Sequence, residues 1–232
     1  MTTPGGFILG IDTSGRRTGL ALVRDREKVG EQFHEGIDHN EVLPGMLKRL
    51  LAGAGIGPAA LAAIGVVQGP GMFTALRVGL AWTAAIGLAR GIPVKGVNTL
   101  AALAAGAGDD RPVLAVVDAR KGQVYAAVCH RGRELIEPGL FLPPDLAFAT
   151  ASLSLPGTIV VAGNATDTML PLVTATGTAA VDSGIRSPAP SVVAGLAASH
   201  IAGEGADDPA ALAPVYLRRT DAELARERSG RP

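Results

Sequence analysis

Cysteine occurs once among the 232 residues, at Cys129, so the chain cannot close an internal disulfide. Cys129 lies in the apolar run Val124–Cys129 and reads as a buried structural thiol of a reducing compartment. A nucleophilic role would call for a histidine on the same face, and His130, the next residue along a strand, points the other way. Aromatic residues make up only 3%, which leaves the core to aliphatic and small side chains. Neither sign of charge is in excess. The 21 basic and 21 acidic residues cancel, against general binding to nucleic acid or a membrane surface. Long hydrophobic runs are missing too: Val78–Ala89, held between Arg77 and Arg90, falls well short of the ~20 residues that span a bilayer. The opening MTTPGGFILGIDTS carries no basic segment ahead of its short apolar run, so no signal peptide is expected and the chain reads as soluble and cytoplasmic. The four histidines, His34, His39, His130 and His200, show no metal-ligand spacing. No serine has an arranged histidine and acid, which leaves a hydrolytic role without a constellation.

The most informative stretch is GVVQGPGMFTALRVGL, Gly65–Leu80. Val66 and Val67 close an apolar strand, Gly69-Pro70-Gly71 supplies a tight turn, and Phe73–Arg90 reads as one helix stopped by Gly91 and Pro93. Along that helix Ala75, Gly79, Thr83 and Gly87 fall four apart and form a stripe poor in side chains. Such a stripe is either a docking surface or a tight internal contact. Large apolar residues on nearly all other sides (Leu76, Leu80, Trp82, Ile86, Leu88) suggest that both faces of the helix are covered.

A loose internal repeat relates Phe7–Glu31 to Val113–Ile136. Each copy opens with an apolar strand ending in aspartate (Asp12, Asp118) and continues through a basic, glycine-containing turn into a second strand and then a third. Two α/β lobes of similar plan are expected, divided at the linker Gly106–Asp110: lobe one over 1–107, lobe two over 108–220, and a charged, solvated tail over 221–232. Asp38 and Glu41 fit a capping box at the start of a helix whose apolar face carries Leu43, Met46, Leu47, Leu50 and Leu51. In lobe two, Pro138–Pro144 reads as a loop, Thr158–Ala162 as a strand and Ser191–Ala202 as an amphipathic helix.

These motifs carry a resemblance that runs nearly end to end. The segments are Ile8–Ser14, His39-Asn40-Glu41 with Leu43-Pro44, Gly69-Pro70-Gly71 with Phe73-Thr74 and Leu76–Gly79, Asp118-Ala119-Arg120 with Val124-Tyr125-Ala126, and Pro214 with Tyr216-Leu217-Arg218. In these the chain resembles the TsaB family, the smaller of two related bacterial proteins needed for threonylcarbamoyladenosine modification of tRNA. It departs from the family pattern at Asn40, Met72 and Ala75. The resemblance implies the actin-like ATPase (ASKHA) fold, an α/β architecture of two ribonuclease-H-like lobes. It also implies a scaffold without chemistry of its own, docked onto the larger paralogue TsaD, which modifies adenosine 37 of ANN-decoding tRNAs, with the small ATPase TsaE joining them. On this reading tRNA is reached only through the partner, and ATP with magnesium enters only at the level of the complex. The larger paralogue's His-x-x-x-His metal pair follows a Val-Asn dipeptide; after Val97-Asn98 those two positions hold Thr99 and Leu103.

Docking is assigned to His39, Leu43, Met46, Leu47 and Leu50 of the first helix and to Phe73, Leu76, Arg77, Gly79, Leu80 and Thr83 of the long one. The same surface could pair two copies of the chain. The competing reading is a nucleotide-dependent enzyme, in which Asp12, Thr13, Gly69, Gly71 and Asp118 face phosphates and magnesium, as the first-strand aspartate does in actin-like kinases. The plainer reading of Asp12, a strand-ending carboxylate that caps a turn, is preferred, since lobe two shows no strong adenosine-binding glycine motif.

Overall fold

The computed structural model describes residues 6–108 and 110–217. Three antiparallel strands open the chain: β1 (Phe7–Asp12), β2 (Arg17–Arg24) and β3 (Glu27–Glu35). β4 (Leu61–Gly69) and β5 (Val94–Asn98) then add in parallel, giving a five-stranded sheet in the order β3-β2-β1-β4-β5. The continuous apolar run of β1 belongs to a strand covered on both faces, whereas β3, at the edge, keeps its charges in water. The second sheet repeats the plan with β6 (Val113–Asp118), β7 (Val124–His130), β8 (Arg133–Phe141), β9 (Ile159–Ala162) and β10 (Ala180–Asp182), in the order β10-β9-β6-β7-β8.

The helices repeat as well. α1 (His39–Gly53) and α2 (Phe73–Arg90) cover one face of the first sheet over a core that includes Leu9, Ile11, Leu43, Met46, Ile64 and Leu80. α4 (Pro143–Ala151) and α5 (Thr166–Ala175) do the same for the second sheet around Leu114, Val116, Leu146 and Met169. The third helix of each lobe crosses to the other. α3 (Thr99–Gly106) packs Leu100 and Leu103 against Ala115, Val117 and Ala127 of β6 and β7. α6 (Pro190–Glu204) lies on β1, β2 and β4. That approach is backbone to backbone: a Cβ on Gly10 would stand 1.8 Å from the Pro190 carbonyl oxygen, and one on Gly65 would stand 2.8 Å from that of Val193.

Four expectations are corrected. α6, expected in lobe two, packs on β1, β2 and β4 of lobe one, so the two lobes interlock through α3 and α6. Pro138–Pro144 is no loop: β8 runs on to Phe141 as an edge strand, where a missing N–H is tolerated, and Pro143 begins α4 at the first turn, where the N–H would be unpaired anyway. Asp38 does not cap α1 through its side chain. It accepts a hydrogen bond from His34 Nε2 (2.8 Å), which holds its carboxyl below the ordinary range and leaves Glu41 exposed. Most of the docking residues expected on α1 and α2 are buried rather than exposed. Arg218 and the charged tail lie outside the described residues.

Candidate functional site

The β1–β2 and β6–β7 turns face each other across a cleft of about 450 Å³ between the lobes. Ser14, Gly15 and Arg16 line it from the first turn, Asp118 and Arg120 from the second, and Gly71–Thr74 from the start of α2. Tyr125 and Asn164 complete the wall.

The two aspartates are built alike. Asp12 Oδ1 accepts the Ser14 amide (2.8 Å) and hydroxyl (2.7 Å), and Asp118 Oδ1 accepts the Arg120 amide (2.9 Å). Each is an Asx turn that tightens a hairpin. Their surroundings differ. Asp12 is 1% exposed and stands behind Ser14, outside the cleft lining. Burial pushes its carboxyl up to about 6, partly offset by the Ser14 hydrogen bonds and the charge of Arg17. Asp118 opens to the cleft with its side chain 43% exposed and Arg120 beside it at 3.5 Å.

The other proposed phosphate contacts separate in the same way. The Thr13 hydroxyl donates to the Ala75 carbonyl (2.8 Å) inside the protein. Gly69, at φ +121°, lies under the chain's own C-terminal segment, where the Val215 amide donates to the Gln68 carbonyl (2.8 Å). Gly71 reaches the cleft, pressed against the Ser14 backbone, and the Met72 amide donates to the Ser14 carbonyl (2.8 Å). Gly71 and Asp118 therefore share the cleft; Asp12, Thr13 and Gly69 do not. Among the described residues no three His, Cys, Asp or Glu side chains converge as a metal site.

The small-residue stripe of α2 is an internal contact. Gly79 sits on Thr13, where a Cβ would come within 2.3 Å of the hydroxyl oxygen, and Gly87 sits on Val94. Leu76, Leu80 and Thr83 are buried on the same side, as are His39, Leu43, Met46 and Leu50 of α1, while Leu47 is half-buried. As surface contacts for a partner the buried residues are corrected, because their side chains already fill the chain's own core, whereas Leu47 stays partly open. His39 illustrates the point: its Nδ1 is hydrogen-bonded to the Thr18 hydroxyl (2.7 Å), and burial pushes its pKa down.

Of the docking residues on α2, Phe73 and Arg77 face outward, and Ala81, Ala85 and Leu88 extend the row. Leu88 is 61% exposed, and Phe73 stacks on Tyr216 at 5.4 Å with the Arg77 guanidinium 4.2 Å from its ring. Ala81, Ala85 and Leu88 were missed because small residues occur on both sides of α2. A signal was present: once the stripe at 75, 79 and 83 is placed inward, residues 77, 81, 85 and 88 fall opposite it at helical spacing.

A family model described as TsaD: tRNA N6-adenosine threonylcarbamoyltransferase matches residues 34–140. An uncharacterized protein of Mycobacterium tuberculosis is 36% identical over 222 residues, covering 93% of both chains. The tRNA threonylcarbamoyladenosine biosynthesis protein TsaB of Bacillus subtilis is 32% identical over 132 residues, covering 56% of this chain and 58% of that one. The chain belongs to the TsaD/TsaB family. Among solved structures, YeaZ from Pseudomonas aeruginosa superposes with a TM-score of 0.76 at 25% identity, covering 91% of this chain and 100% of that one. A ROK hexokinase from Thermus thermophilus matches at a TM-score of 0.50 and 14% identity, covering 82% and 97%, which shows the shared actin-like fold alone. This member of the TsaD/TsaB family is therefore a two-lobed ASKHA protein, linked by its relatives to threonylcarbamoyladenosine formation on tRNA. Among the described residues no helix is long and apolar enough to cross a membrane.

Proposed function

We propose that this chain is a TsaB-type accessory subunit, without catalysis of its own, that docks onto a TsaD-type threonylcarbamoyltransferase and supports N6-threonylcarbamoyladenosine formation at position 37 of ANN-decoding tRNAs. One observation carries the reading. Where the larger paralogue's metal-binding histidines would stand, Thr99 and Leu103 are each 1% exposed, and Leu103 packs with Ala115, Val117 and Ala127 of lobe two. Leucine offers a metal no ligand, and threonine no imidazole.

The outward row Phe73, Arg77, Ala81, Ala85 and Leu88 supports α2 as the docking element, since exposed apolar residues in line on one helix suit a helix-to-helix contact. A second copy of the chain could occupy the same row when the partner is absent. A TsaE-type ATPase would join the assembly, and nucleotide would bind there rather than to the isolated chain.

The test mixes the purified chain with the TsaD-type protein of the same organism and measures complex mass by light scattering after size exclusion. A heteromeric peak is expected, abolished by Ala81→Arg, which alters an exposed position and leaves the melting temperature unchanged. Two separate peaks, even with ATP and the TsaE-type ATPase present, would overturn the reading. Nucleotide binding to the isolated chain, weakened by Asp12→Asn, would move a nucleotide-dependent enzyme to the front.

A further inference from the structure

Two arginines, one from each lobe, meet at the mouth of the interlobe cleft. Arg16, on the turn of the first hairpin, and Arg120, on the turn of the second, both line it and are exposed. Asp118 is the acidic residue in the cleft lining, and its carboxylate is already engaged by the Arg120 amide and guanidinium. The second tip is held in an unfavourable backbone conformation: Arg120 (φ 61°), Lys121 (φ 54°) and Gly122 (φ 70°) are three consecutive left-handed residues, two of them with side chains. Arg120 is thereby presented to water with its side chain 76% exposed.

Beside these cations lies the Phe73–Tyr216 stack, each ring 47% exposed. Tyr216 arrives from the segment after α6, whose Val215 amide is fixed to the Gln68 carbonyl. Its position is therefore set by the fold before any ligand arrives. An isolated basic patch would suit any polyanion, and an isolated aromatic pair would suit an apolar surface. Cations spaced along a groove with a pre-positioned aromatic face beside them match an unpaired polynucleotide, whose phosphates and bases are bound separately. An acidic peptide leaves the rings without a role, and a duplex presents no free base to them.

We infer that the cleft mouth binds a single-stranded polynucleotide segment, its phosphates on Arg16 and Arg120 and a base on Tyr216. This revises the expectation that RNA is reached only through a partner. It does not depend on the docking reading: the two surfaces meet at Phe73 and Arg77 but share none of the residues tested.

The experiment is fluorescence anisotropy of a labelled, unstructured 12-nucleotide RNA titrated with the isolated chain. Saturable binding is expected at 50 mM KCl, weakening roughly seven-fold at 200 mM if about two phosphates are neutralised. Arg16→Glu combined with Arg120→Glu should weaken it by about ten-fold or more, and Tyr216→Ala by about five-fold or more. Arg133→Glu, an exposed charge on β8 outside the cleft, should leave it unchanged. All these variants should keep the parent melting temperature, since the side chains are exposed or half-exposed. The inference is overturned by an absence of saturable binding at 50 mM KCl, by equal loss in Arg133→Glu, or by reversal variants that bind like the parent. Equal binding of a blunt duplex of the same length would overturn it too, since the rings would then play no part. Full displacement by millimolar ATP would assign the cleft to a small phosphate ligand instead.

Discussion

Asp12 and Asp118 end equivalent strands and accept the amide two residues on, yet one is sealed and the other open. The cause is what lies on each hairpin. In lobe one the start of α2 is laid over it: the Met72 amide reaches the Ser14 carbonyl, Gly71 touches Ser14, and Thr13 reaches the Ala75 carbonyl. In lobe two the corresponding helix, α5, has 10 residues against the 18 of α2. Its turn sends Asn164 alone, through Oδ1, to the Asp118 amide (2.8 Å). One hairpin became part of a core and the other stayed an arm over a cleft. Sequence similarity between repeats is therefore no guide to equal chemistry.

The largest effect on this comparison is expected from Gly10→Val. Gly10 corresponds to Val116 of lobe two, but it lies under the α6 backbone, which cannot shift without losing the lobe-one core. A loss of about 4 kcal/mol or more in urea unfolding, or failure to fold, is expected. Next comes Gly79→Ala. Its methyl would overlap the Thr13 hydroxyl, so a loss of about 2 kcal/mol is expected. Combining it with Thr13→Ala should recover part of that loss, a coupling readable in a double-mutant cycle. A non-additive gain of zero would show that the stripe is not seated on this hairpin.

Asp12→Asn asks about charge. The folded-state pKa of about 6 lies above the ordinary 3.8, so the folded protein holds the proton more tightly than the unfolded chain. Stability should then fall as pH rises from about 4 to 6 and level off above. The amide cannot ionise, so Asp12→Asn should flatten that slope and raise stability at pH 7.5 by about 2 kcal/mol. A parent melting curve that is flat across this window would refute the burial argument. The smallest effect belongs to Asp118→Asn. Its half-exposed carboxylate and loose contact with Arg120 should shift unfolding by less than about 0.5 kcal/mol. A shift comparable to that of Asp12→Asn would mean that the two hairpins are alike after all.

Much of the fold was legible because it depends on local pattern. The strands around Asp12 and Asp118 are short apolar runs ending at basic turns, and α2 ends at Gly91 (φ +63°) as its stop signal demands. What escaped reading had competing local signals. The prolines at 138, 143 and 144 suggested a loop, although an edge strand and a helix start both tolerate them. Asp38 and Glu41 carried a capping signature, but His34, four residues before Asp38, took the carboxylate instead. β10 has three residues, too few to show a period.

The candidate site was less legible for a related reason. α2 is apolar nearly all round, so its pattern could not tell the face on the sheet from the face in water. The stripe at Ala75, Gly79 and Thr83 was as consistent with a partner as with Thr13. Nor could sequence place α6 on the opposite lobe, or bring Tyr216 to Phe73 from 143 positions away.

Local propensity and hydrophobic period by themselves determined two repeated α/β units and a long helix behind a glycine turn, and the family resemblance added Thr99 and Leu103 where a metal pair would need histidines. The packing of distant segments decided which side of α2 is covered, which aspartate is sealed, and which cations share the cleft. Those outcomes rest on which backbone can approach which, and such contacts join residues that no window along the chain holds together.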